Sequence, residues 1–91
     1  NPTKVLFGKN KIKELGGMIK NSGATKVLFL YGKGSIFNNG VYERTAEMLK
    51  QSGIDFVELG GVKANPVLSK VREAIELVRA ENVNGILAVG G

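Results

Sequence analysis

Three strand-forming segments that each run straight into glycine constrain the fold of this chain more than any other feature. Lys26 to Tyr31 ends at Gly32, Asp55 to Leu59 ends at Gly60-Gly61, and Gly85 to Val89 ends at Gly90-Gly91. The segments start about 30 residues apart, the repeat of a strand, a crossover helix and the next parallel strand. Val27-Leu28-Phe29-Leu30 and the run up to Val89 are apolar without alternation, which predicts strands buried on both faces, as at the centre of a parallel sheet. The segments between the strands differ in sequence and length, which argues against a solenoid of equal repeats.

Helical patterns fill those intervals. A short opening strand, Lys4 to Phe7, is closed by Gly8, and Asn10 is placed to cap a helix with Ile12, Leu15, Met18 and Ile19 on one face. Asn21-Ser22-Gly23 ends that helix, while Gly16 and Gly17 weaken it and make it depend on packing. A second helix from Val41 to Gln51 carries Val41, Tyr42, Thr45, Ala46, Met48 and Leu49 at helical spacing, and Gly53 stops it. For the third, Asn65 is expected as the cap and Pro66 as the first helical residue, with Val67, Leu68, Val71, Ala74, Ile75 and Val78 as the buried stripe. The predicted fold class is α/β: a three-layer, Rossmann-like parallel sheet with helices on both faces. It is read as a βαβαβ mononucleotide-binding half with an extra amino-terminal strand and helix. Ligands of such sheets sit beyond the carboxyl ends of the strands, where the three glycine junctions cluster.

Composition narrows the functions open to such a fold. Hydrophobic residues make up 43% of the 91 residues against 23% charged, which excludes wholesale disorder. The apolar runs are too short to cross a bilayer and the amino end has no secretory h-region, so a cytoplasmic protein is the expectation. With neither cysteine nor histidine, this chain alone builds no zinc site and no Ser-His or Cys-His dyad. The net charge of +5 is uneven: residues 1–33 hold seven lysines against the single Glu14. Such a surplus suits nucleic acid, an acidic partner, a phosphorylated ligand or a solvated face. The lysines at 9, 11 and 13 flank a helix start without interleaved aromatics, which disfavours nucleic acid.

At the first junction, Gly32 and Gly34 remove side chains, so that backbone N–H groups form a nest for a phosphate, while Lys33 adds charge and Ser35 a hydroxyl. The loop is neither a Walker A motif nor a complete GxGxxG, because Phe37 holds the third glycine position. An ordinary turn fits the same residues. Glu58 lies where a dinucleotide fold places its ribose-binding acid, and it also fits an outward strand position. Asn65-Pro66 is explained by capping alone, yet it would aim a helix amino terminus at the ligand side of the sheet. Gly90-Gly91 reads as the start of a phosphate loop cut at the last residue, so the chain is expected to be a truncated fragment of a larger protein.

Four motifs in order carry a resemblance across the whole chain: Asn1-Pro2-Thr3-Lys4-Val5-Leu6-Phe7-Gly8, Tyr31-Gly32-Lys33-Gly34-Ser35, Gly60-Gly61-Val62-Lys63-Ala64-Asn65-Pro66 and Ala88-Val89-Gly90-Gly91. The sequence resembles the amino-terminal, dehydroquinate synthase-like domain of iron-containing (group III) alcohol dehydrogenases, in the NADPH-dependent butanol dehydrogenase or aldehyde reductase branch. The resemblance implies hydride transfer between NADP(H) and a small alcohol or aldehyde, with Gly32, Lys33, Gly34, Ser35, Asn65, Pro66, Gly90 and Gly91 binding the cofactor. Family members that use NAD carry Asp where this chain has Gly32, so NADP is expected over NAD. The resemblance further implies a divalent metal such as iron or zinc, held by a helical carboxyl-terminal domain outside residues 1–91, and a homodimer. It assigns neither catalytic nor metal-binding residues to this chain, which alone is expected to be inactive. A glycerol dehydrogenase-like or dehydroquinate synthase-like enzyme, or a non-enzymatic α/β module binding an anionic partner, are the alternatives.

Overall fold

In the computed structural model, which describes residues 5–7, 12–33, 37, 40–63 and 65–89, the chain alternates strand and helix throughout. The elements are β1 (Val5–Phe7), α1 (Ile12–Ser22), β2 (Lys26–Tyr31), α2 (Val41–Gln51), β3 (Asp55–Leu59), α3 (Leu68–Ala80) and β4 (Gly85–Val89). The expected Lys4, Gly8 and Asn10 boundaries lie outside the described residues. The four strands form one sheet in the order β1-β4-β2-β3, with every pairing parallel.

The continuous apolar runs occupy the two central strands, as expected. Val27, Leu28 and Phe29 of β2 are all buried, their side chains alternating between the faces of the sheet. Val27 and Phe29 join Leu87 and Val89 in the core beneath α1 and α2, built from Ile12, Leu15, Ile19, Val41, Met48 and Leu49. Leu28 joins Leu59 and Val83 on the opposite face, where Ala74, Leu77 and Val78 of α3 pack. Helices thus cover both faces, two on one and one on the other.

That asymmetry corrects the reading of α3. No residue of α3 is fully buried, and Val67, Leu68, Val71 and Ile75 are 65, 63, 38 and 46% exposed. Of the expected stripe, Ala74 and Val78 pack inward, joined by Leu77. A helix about 10 Å across cannot span four strands spaced about 4.8 Å apart, so one flank of its apolar stripe has no neighbour among the described residues. On α1, Met18 is likewise exposed, at 51%, while Ile12, Leu15 and Ile19 are buried.

The cap of α3 also differs from expectation. Helical hydrogen bonding begins at the Val67 carbonyl, which accepts from the Lys70 and Val71 N–H groups. Val67 is the N-cap, extended at φ −70° and ψ 156°, with no side-chain cap bond. Asn65 and Pro66 therefore precede the helix. The β2–β3 register ends at Leu30 and Leu59, but the chain stays against β2 one residue out of step, because Val62 N–H donates to the Tyr31 carbonyl at 3.0 Å, and this stretch delays the turn into α3.

Helix exits follow a common device. Gly53 takes φ +71°, and the Ile54 and Gly53 N–H groups donate back to the carbonyls of Leu49 and Lys50, a Schellman motif that turns α2 directly into β3. At the end of α3, Asn82 takes φ +54°, and Val83 N–H donates to the Val78 carbonyl. Asn84 then joins the amino ends of β2 and β4: its Oδ1 accepts from the N–H groups of Thr25 and Lys26 at 3.0 and 3.1 Å.

Candidate functional site

The strand order fixes where a ligand can sit. From β2 the chain passes to β3 on one side, then crosses back to β4 on the other. The adjacent strands β2 and β3 send their crossovers to opposite faces of the sheet, α2 to one core and α3 to the other, and in such sheets the ligand crevice lies outside the carboxyl ends of the strands at this divergence. Gly32 and Lys33 stand there directly after Tyr31, Gly60 and Gly61 directly after Leu59, and Val89 ends β4 on the other side of β2.

The β3–α3 loop is drawn against this point. The Gly61 N–H approaches the Gly32 carbonyl at 3.5 Å, beside the shorter Val62–Tyr31 bond. A Cβ placed on Gly32 would lie 3.4 Å from the Val62 carbonyl oxygen, and one on Gly60 only 2.5 Å from the Tyr31 ring. Gly61 adopts φ +73°, a conformation that favours glycine. The space where a Gly61 side chain would begin is bordered by Lys33 Cε and Lys70 Nζ, each 3.8 Å away. Lys33 from the β2–α2 loop and Lys70 from the first turn of α3 therefore converge on one glycine beside Gly32.

Of the residues expected in the site, the structure brings Gly32 and Lys33 to the crevice and leaves Asn65 and Pro66 exposed on the approach to α3. Gly34, Ser35, Gly90 and Gly91 lie outside the described residues. Lys70 was not anticipated from sequence. Its signal is positional: Lys70, Ala74 and Leu77 share one helical stripe, so a lysine stands where the pattern calls for an apolar residue.

Glu58 is engaged elsewhere. Its two carboxylate oxygens accept hydrogen bonds from Tyr31 Oη at 2.9 Å and Tyr42 Oη at 2.6 Å. The bond to Glu58, then burial and the nearby negative charge, push the Tyr42 hydroxyl up to about 12. Tyr31 is also raised, first by burial and then by Glu58. Phe37 packs edge-on to Tyr31 at 5.4 Å and against Tyr42 at 4.9 Å, extending an aromatic cluster that includes Phe29. Among the described residues, no group of three His, Cys, Asp or Glu side chains is placed to hold a metal ion, and no helix is long and apolar enough to cross a membrane.

A family model for iron-containing alcohol dehydrogenases matches residues 2–91. The chain belongs to the iron-containing alcohol dehydrogenase family. Within that family it is 49% identical over 90 residues to NADH-dependent butanol dehydrogenase A of Clostridium acetobutylicum, covering 99% of this chain and 23% of that protein. It is 40% identical to the NADPH-dependent aldehyde reductase YqhD of Escherichia coli, covering 99% of this chain and 22% of that one. The crystal structure of NADH-dependent butanol dehydrogenase A from Thermotoga maritima superposes with a TM-score of 0.83 at 56% identity, covering 100% of this chain and 23% of that one. The chain thus spans about a quarter of the length of these relatives, and the family's Rossmann-like fold is the one observed here.

Proposed function

We propose that this chain is the cofactor-binding domain of an NADP-dependent alcohol dehydrogenase or aldehyde reductase acting on a small alcohol or aldehyde. The observation that carries the reading is the carboxyl end of β2, where Gly32 presents no side chain and Lys33 follows it at the crevice. An acid at that position would repel a 2′-phosphate, whereas glycine leaves room and lysine supplies a compensating charge. The site fits a dinucleotide in a second respect, since the strand order diverges at the same point. Family membership and relatives named for both NADH and NADPH support a nicotinamide dinucleotide; the preference for NADP rests on Gly32 and Lys33.

When bound, the dinucleotide supplies or accepts the hydride at its nicotinamide ring. The role of the chain's own residues is to bind and orient the adenosine end. Gly32 keeps the end of β2 open, and Lys33 offers its ammonium to a phosphate. Gly34, Ser35, Gly90 and Gly91 are proposed to complete the loops around the phosphates, and the Asn65-Pro66 segment to border them. The divalent metal belongs in this reading to the helical carboxyl-terminal domain of a longer, cytoplasmic enzyme, which takes a small alcohol or aldehyde as substrate and forms a homodimer.

Gly32→Asp in the intact enzyme tests the assignment. The ratio of NADP to NAD efficiency, measured as kcat/KM, is expected to fall at least tenfold. An unchanged ratio would mean that this loop does not read the 2′-phosphate.

A further inference from the structure

We propose that Lys70, from the first turn of α3, joins Lys33 in binding the 2′-phosphate of the adenine dinucleotide and is a specificity-determining residue. This rests on the reading above and extends it from the β2–α2 loop to a second element.

Three observations lead to Lys70. The first is convergence: its Nζ and Lys33 Cε each come within 3.8 Å of the Cβ position at Gly61, and Gly61 lies beside Gly32. The second is placement. Lys70 occupies the inward stripe of α3, in line with Ala74 and Leu77, and its side chain is only 27% exposed. Its stem lies along the helix's inward stripe while its ammonium reaches the Gly61 position in the β3–α3 loop. The third is its weak compensation. Among the described residues its ion-pair partner is Glu73, three residues on, at 3.6 Å, too long for a hydrogen bond and of the solvated kind that contributes little.

A phosphomonoester dianion suits this arrangement. One lysine from the β2–α2 loop and one from the first turn of α3 match a terminal phosphate with several free oxygens, and a flexible lysine serves as a point charge there. Glycine at positions 32 and 61 adds no side chain of its own to the space between them.

The experiment uses the intact enzyme that carries this domain, with adenosine 2′,5′-bisphosphate, 5′-AMP, NADP and NAD as probes in equilibrium titrations. Lys70→Met is expected to weaken binding of the bisphosphate and of NADP about tenfold, while 5′-AMP and NAD change less than twofold. Lys70→Arg, which keeps the charge, should restore most of the loss. Added salt should weaken NADP more than NAD, and that difference should shrink in Lys70→Met. Equal losses for all four probes, or no change with Lys70→Met where the wild type prefers the bisphosphate, would overturn the role of Lys70 alone. Failure of the wild type to bind any of the four would overturn the cofactor-domain reading together with it.

Discussion

Glu58 illustrates how one side chain can fit two roles by its position in the sequence. The end of β3 suits a ribose ligand or an outward strand position, and in the structure both oxygens are taken by tyrosine hydroxyls, an arrangement that needs Tyr31 and Tyr42 to be neighbours in space. The consequence is a pH dependence of definite sign. Because Tyr42 is raised from 10.0 to about 12 in the folded chain, the stability it contributes is present in full below pH 10 and is lost as pH rises toward 12. The chain holds two tyrosines and no tryptophan, so tyrosinate absorbance reads these groups alone. Native protein should ionise above pH 10, and Glu58→Gln should bring Tyr42 back toward its ordinary value. Half-ionisation of both hydroxyls near pH 10, insensitive to Glu58→Gln, would refute the network.

At the scale of elements, α1 shows why two adjacent glycines need not be equivalent. Both lower helix propensity, and the sequence marks both as weak points. Only one faces a partner. A Cβ on Gly16 would overlap Ser52 Oγ and lie 3.5 Å from Met48 Sδ, whereas nothing among the described residues stands within 4 Å of one on Gly17. Gly17→Ala is therefore expected to stabilise the chain by about 0.5–1 kcal/mol in urea unfolding. Gly16→Leu should destabilise it by about 1–3 kcal/mol through overpacking against α2. Effects of the same sign at both positions would contradict the packing of α1 on α2. The third helix carries the complementary lesson. Its apolar periodicity was clear, but periodicity reports which side chains share a face, not how wide a face the sheet and its neighbours cover. It starts two residues later than the Asn65-Pro66 signal predicts, because the bond from Val62 N–H to the Tyr31 carbonyl holds the loop against β2.

For the whole molecule, the cofactor crevice and the chemical step are proposed to lie on separate domains, and the 91-residue chain is expected to show no turnover of butanal with NADPH. Measurable activity in the purified chain would refute that division. What the sequence alone determined was the order and type of the elements, the burial of β2 and β4, and the glycines at the carboxyl ends of the strands. These are local properties, encoded in the spacing of apolar residues and in backbone freedom. The tertiary structure decided the strand order β1-β4-β2-β3, the bond of Asn84 to the start of β2, and the meeting of Lys33 and Lys70 over Gly61. Each depends on which distant segments become neighbours, and long-range parallel pairing sets that without leaving a periodic mark on either segment.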